Sequence, residues 1–289
     1  MKNRMLASAL AALFALPIAA HAASTRTHVS NSGSDANAAF SCDAAHPCRT
    51  FATALAVTTP GGEILAIDSS GFGKVVIDRS VSIVAAPGVY AGIGVGAGGN
   101  ATGVEIATPG VNVVLRGLTI TGQGGNYGVR MTNGTKLAVE NCVISNFLSP
   151  GQFGVLVSTA AGVYIADTLF RDNYNGIYLS SGATGTAVRI QLDGGNAGIT
   201  AWSSAPGTTA LSISDSVVSG ATEAVSSRAS SAGATTRVTL GNSVVTQNNS
   251  GIIQSTSGGG VAIFESLGNN TVRQNTTNTS GTITTVAPI

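Results

Sequence analysis

Few side chains in this 289-residue chain can do chemistry: 13 Asp and Glu, 14 Lys and Arg, three His and three Cys. No histidine follows His46, and a Ser-His-Asp triad is unsupported. Cys42, His46 and Cys48 are close enough to suggest a metal. They lack a fourth ligand nearby and the spacing usual for zinc. Gly94-Val95-Gly96-Ala97-Gly98-Gly99 matches a phosphate-loop pattern in letters alone, because no helix opens after it and no βαβ unit surrounds it. It reads as a loop. What remains is a scatter of cations, lone carboxylates and rings: Arg116, Glu140, Tyr164, Arg189 and Trp202. Their use depends on what brings them together.

That element is a repeat. An alternating apolar pair is closed by a small or polar residue at Gly117, Asn141, Asp167, Asp215, Asn242 and Glu265, in steps of 24, 26, 48, 27 and 23. The 48 is two coils, the middle one degenerate near Gln191. A second ladder of Gly-led apolar strands starts at Gly103, Gly128, Gly154, Gly176, Gly198, Ala224 and Gly251, in steps of 25, 26, 22, 22, 26 and 27. Two ladders with one period describe a solenoid, in which a single repeat cannot bury its apolar face and stacking supplies the core. Val113, Leu115, Val139, Val163, Ile165, Ile213, Leu240 and Ile263 are expected to stack inside. Asn126, Asn173, Asn196 and Asn249 precede the Gly-led strands, where a tight turn favours Asn.

The flanks fit an exported protein. Lys2 and Arg4, an apolar run from Met5 to Ile18, and Ala20-His21-Ala22 read as a secretory leader over 1–22, and nothing later reads as a membrane span. Its removal leaves 12 basic against 13 acidic residues, which excludes a basic field for nucleic acid. In an exported chain Cys42 and Cys48 are expected to form a disulfide. Cys142 shares a column with Thr168, Ser216, Ser243 and Ser266, and reads as a buried free thiol. Arg49 to Val57 predicts a short helix covering the open end of the solenoid. The expected organisation is a cap over 23–60, coils over 61–275, and a final strand or cap over 276–289.

These ladders, the Asn residues and the stretch His28-Val29-Ser30-Asn31-Ser32-Gly33-Ser34-Asp35 resemble the right-handed parallel β-helix superfamily that includes pectate lyases. The resemblance spans roughly Thr27 to Asn275. It implies an all-β, single-domain parallel β-helix with a short N-terminal capping helix, working on acidic polysaccharide from its outer surface. Lyases of that kind need clustered carboxylates for calcium and a base, and hydrolases need two carboxylates. The outward position of each coil here reads Arg116, Glu140, Ala166, Arg189 or Gln191, Ser214, Gly241 and Phe264, with one carboxylate among them. Tyr164 lies one step earlier on the same face. Trp202, the one Trp, follows Gly198-Ile199 in a neighbouring loop and offers a plane for a sugar.

The count favours a secreted or periplasmic protein that binds extracellular or envelope polysaccharide, or is structural at the cell surface. The binding stripe would be Arg116, Glu140, Tyr164, Arg189 and Trp202, with no cofactor or metal. The competing reading is a polysaccharide lyase or glycoside hydrolase acting on an acidic polymer.

Overall fold

The computed structural model describes residues 23–287, so the expected leader over 1–22 lies outside the described residues. Three parallel ladders run along one solenoid: sheet A of 11 strands, and sheets B and C of 9 strands each. Each turn of chain visits A, then B, then C. Lys136–Glu140, Val143–Ser145 and Phe153–Ser158 form one such turn. Leu137 and Val139 are buried while Lys136 faces solvent, because side chains alternate across a strand. Counterparts in successive coils then stack into a continuous core of Val, Ile, Leu and Phe.

The corner between sheets A and B turns on one residue in the left-handed region. Gly117, Asn141, Asp167, Arg189, Asp215 and Asn242 occupy it, with φ between 46° and 74°. Gly, Asn and Asp accept that conformation at small cost, whereas an Arg there is unusual. Arg189, rather than Gln191, is therefore the closing residue of the degenerate coil. The next position lies inside the bend and is buried in every coil, by Cys142, Thr168, Ser216 and Ser243 in four of them and by the apolar Leu118 and Ile190 in the other two. Thr168 Oγ1 accepts from the Cys142 amide at 3.3 Å and donates to the Ala166 carbonyl at 2.8 Å. Ser216 and Ser243 repeat this arrangement. Burial pushes the Cys142 thiol up to about 11.

Sheet C explains the Gly-led strands. A Cβ built on Gly128, Gly154, Gly176 or Gly198 would lie 2.5 to 2.8 Å from a carbonyl oxygen of the next coil. No side chain fits without moving that backbone. The nearby Asn column bridges coils from inside: Asn173 donates to the Ile144 carbonyl at 2.9 Å, and Asn248, not Asn249, donates to Asn275 Oδ1 at 2.9 Å.

The N-terminal end is covered. Strand Ser24–Val29 begins sheet A beside Thr58–Ala66, and helix α1, Phe51–Ala56, buries Phe51, Ala54 and Leu55 over the first coil. Thr50 caps the helix by accepting from the Thr53 amide, and Asp35 accepts from the amides of Arg49 and Thr50. Cys42 and Cys48 form the disulfide, and Cys142 is free and buried. No helix among the described residues is long and apolar enough to cross a membrane.

Four local expectations fail. Phe264 is buried and Ile263 is not, and Glu265 lies within strand Val261–Ser266 opposite Thr239 instead of closing the coil. Val261-Ala262-Ile263-Phe264 is apolar at every position, so alternation leaves its phase undetermined and the largest side chain takes the interior. Ser266 accordingly pairs with Leu240 and falls outside the Cys142 column, where Asn270 caps the Ser243 amide. Gly94 and Gly96 belong to strand Ala91–Gly96 of sheet B, not to a loop.

Candidate functional site

The outer face of sheet A collects three of the five residues singled out above, Arg116, Glu140 and Tyr164, and Arg189 stands at the adjoining corner toward sheet B. Arg116 and Glu140 are direct counterparts in adjacent coils, and Arg116 Nη2 and Nε donate to Glu140 Oε2 at 2.7 and 2.8 Å. Arg189 grips Asp167 with two parallel bonds, Nε to Oδ1 at 2.7 Å and Nη2 to Oδ2 at 2.8 Å. That hydrogen-bonded guanidinium holds the Asp167 carboxyl below its ordinary range, and Asp167 in turn raises Arg189. Tyr164 stands in the next column, between Ala138 and Thr186, with its ring partly exposed. The charges of this stripe are thus spent on one another. Ala166 and Gly241, which register outward, are too small to reach solvent and are buried.

Trp202 is elsewhere. It lies within strand Ala197–Ser203 of sheet C, not in a loop, and its counterpart in the next coil is Arg228. Both strands of that pair run for seven residues, longer than the five or six of the preceding sheet C strands, which carries Trp202 onto the flat face.

The outer face of sheet C proves the richer one. Register places Tyr127, Phe153, Asn175, Ala197 and Glu223 in one column, and Glu105, Arg130, Leu156, Tyr178 and Thr200 in the next. Tyr127 stacks on Phe153 at 5.7 Å, and Phe153 meets Tyr178 edge-on at 5.4 Å. The Arg130 guanidinium sits 5.0 Å from the centre of the Tyr127 ring. Its Nε is buried without a hydrogen-bond partner, and Glu105 is 3.8 Å from its Nη1. Further along, Arg228 pairs with Glu223 at 2.7 Å, and a hollow of about 250 Å³ opens among Tyr178, Thr200, Trp202 and Arg228. Burial pushes the Tyr178 phenol up to about 12, so it remains a hydrogen-bond donor at neutral pH. At the other end, a hollow of about 580 Å³ lies between Leu55 of α1, Lys74, Val76 and Glu105. These residues were missed because the outward reading was applied to one ladder only. The signal was present in the aromatic residue before Gly128 and Gly154, and in Arg130 and Tyr178 two residues after the Gly of their strands.

This face offers rings, guanidinium groups and hydroxyls in a continuous strip. Glu105 and Glu223 are five strands apart, about 24 Å by strand spacing, far beyond the roughly 5–9.5 Å that separates paired catalytic carboxylates. Among the described residues no three His, Cys, Asp or Glu converge on one point.

A family profile described as a right-handed beta helix region matches residues 101–278. None of the curated proteins matches the chain in sequence. Among solved structures, pectate lyase Pel9A is 13% identical with a TM-score of 0.56, over 92% of this chain and 78% of its own. The pectin methylesterase from Aspergillus niger is 14% identical with a TM-score of 0.51, over 75% of this chain and 83% of its own. The GH136 lacto-N-biosidase from Eubacterium ramulus is 11% identical with a TM-score of 0.50, over 91% and 68%. At these identities the likeness is one of fold.

Proposed function

The chain belongs to the right-handed β-helix family, and on that premise we propose that it is an exported, non-catalytic protein that binds polysaccharide along the outer face of sheet C. The observation that carries this reading is the strip formed by Tyr127, Phe153 and Tyr178, flanked by Arg130 at one end and by Trp202 with Arg228 at the other. Sugar rings present apolar faces and equatorial hydroxyls. Aromatic planes match the first, and guanidinium groups with protonated phenols match the second. The extended shape of the strip suits a polymer better than a small molecule. The solved structures of like fold bear names that refer to pectate, pectin and lacto-N-biose, which points the same way. The Cys42–Cys48 bridge agrees with an oxidising compartment.

Of the sequence-derived stripe, Trp202 belongs to this binding strip. Arg116, Glu140 and Arg189 serve to tie adjacent coils together. The reading is non-catalytic because the face holds only two distant carboxylates, each beside an Arg.

The test is affinity electrophoresis of the purified protein through polygalacturonate and alginate, with release of unsaturated or reducing ends followed in parallel. Retardation that is strongly reduced in Tyr127→Ala/Phe153→Ala, with no new ends released, is the expected result. Release of either kind of end, abolished by Glu105→Gln or Glu223→Gln, overturns the non-catalytic reading. A mature N-terminus at Ala23 in the periplasm or medium is the expected mark of export.

A further inference from the structure

We propose that the outer face of sheet A carries a second binding site, for the carboxylate-bearing ring of an acidic sugar, centred on Lys136 and Tyr164. A hollow of about 400 Å³ lies there, a size that suits a small ligand. Register defines its walls: Lys136, Gly162 and Thr184 form one outward column, and Val114, Ala138, Tyr164 and Thr186 form the next. Ala138 and Gly162 make the floor low, while Lys136 and Tyr164 rise on either side.

Gly162 is not required by the fold. Its backbone is not left-handed, and a Cβ added there would meet nothing nearer than 3.8 Å, the Thr135 carbonyl, with Lys136 Cγ at 3.9 Å. What the glycine does is keep the hollow open beside the lysine.

Charge selects the occupant. The Lys136 ammonium has no hydrogen bond or ion pair among the described residues, and no carboxylate lines the hollow. The two acids on this stretch of the ladder, Glu140 and Asp167, are already held by Arg116 and Arg189. An ammonium group without a counter-charge, at the edge of an apolar floor, favours an anion. The partly exposed Tyr164 ring and the Thr184 and Thr186 hydroxyls favour a ring with hydroxyls over an inorganic anion. A uronic acid residue satisfies all three demands. The site stands on a different sheet from the Tyr127 strip and does not rest on that reading. With both occupied, one molecule would bridge two polymer chains.

The experiment is calorimetric titration of the folded protein with trigalacturonate and with the neutral galactose trimer. It is run on the wild type and in the Tyr127→Ala/Phe153→Ala background, where the strip on sheet C is removed. In that background a single site with a preference for the acidic trimer is expected, and Lys136→Met should weaken it about tenfold, the size of one charged hydrogen bond. Gly162→Phe, which fills the hollow, should abolish it. Circular dichroism decides whether Gly162→Phe folds; if it does not, Lys136→Met alone decides, since that side chain is exposed and unpartnered. Unchanged affinity in Lys136→Met, equal binding of the neutral trimer, or loss of all binding with the sheet C strip would each overturn the proposal. If binding survives the strip variant in full and disappears in Lys136→Met, this site stands and the reading of sheet C falls.

Discussion

The outer faces of sheets A and C share one register and one strand spacing, and differ in what their side chains do to the coil above. On the side of sheet A that turns toward sheet B, Arg116 meets Glu140 and Arg189 meets Asp167, so these two guanidinium groups are neutralised by neighbours one coil away, while Lys136 at the other end of its strand is not. On sheet C, Tyr127, Phe153 and Tyr178 line up as rings, and Arg130 lies against one of them with its Nε unpartnered. In a solenoid each outward residue has a counterpart about 4.8 Å away. Opposite charges at that spacing close on one another and become part of the scaffold. Rings at that spacing pack on one another, face to face for Tyr127 and Phe153 and edge-on for Phe153 and Tyr178, and remain partly exposed to a ligand.

The largest effect should come from removing the support beneath the sheet C strip. Gly176→Val would place a Cβ 2.5 Å from both the Gly198 carbonyl and Leu192 Cδ1. Overpacking of this kind costs about 3 kcal/mol, so denaturant unfolding should show a clear loss of stability together with loss of polymer binding. A fully stable variant would show that the two coils can separate and that the strip is not rigid.

Next in size is the strip itself. Tyr127→Ala/Phe153→Ala should weaken polymer binding by about 2 kcal/mol, roughly thirtyfold, while Arg116→Ala leaves retardation unchanged. Equal losses from the two variants would erase the distinction between the faces.

Smaller still is the coupling within sheet A. A double-mutant cycle on Arg116→Ala and Glu140→Ala should return under about 1 kcal/mol in unfolding free energy, the ordinary worth of an exposed pair, and nothing in binding. A coupling seen in binding instead would return these residues to the ligand site.

The smallest effect is the pH dependence of the Asp167–Arg189 pair. Arg189 depresses the folded-state pKa of Asp167, so the pair contributes stability above the unfolded pKa and loses it as pH falls through the lower folded value. Melting temperatures of the wild type and Asp167→Asn should differ at pH 6 and converge as pH drops below 3.8. A gap that persists in acid would mean that Asn fails as a corner residue there, independent of charge.

How much of this was legible follows from where each signal resides. Leu137 and Val139, or Val163 and Ile165, declare their burial through alternation within a few residues, and the recurrence of that pattern declares the coil. The helix over Phe51–Ala56 and the bridge between Cys42 and Cys48 are likewise local, and the chain specifies them through capping residues and a short loop. Arg189 carried no such mark. Only the stacking of Val188 on Ala166 puts it at a left-handed corner within reach of Asp167. Phe264 and Ile263 exchanged faces because a run without alternation permits either phase, and the pairing of Phe264 with Val238 chose one.

The sequence by itself therefore determined the architecture: period-two strands, repeated every 22 to 27 residues along the Gly ladder, have no better way to bury their apolar sides than to stack. The tertiary structure alone decided the partners on the outside. Trp202 meets Arg228 across 26 residues and Tyr127 meets Phe153 across the same distance, and a one-residue change in loop length would turn either side chain to the other face. Chemistry on this protein is set by contacts between coils, which no local pattern encodes.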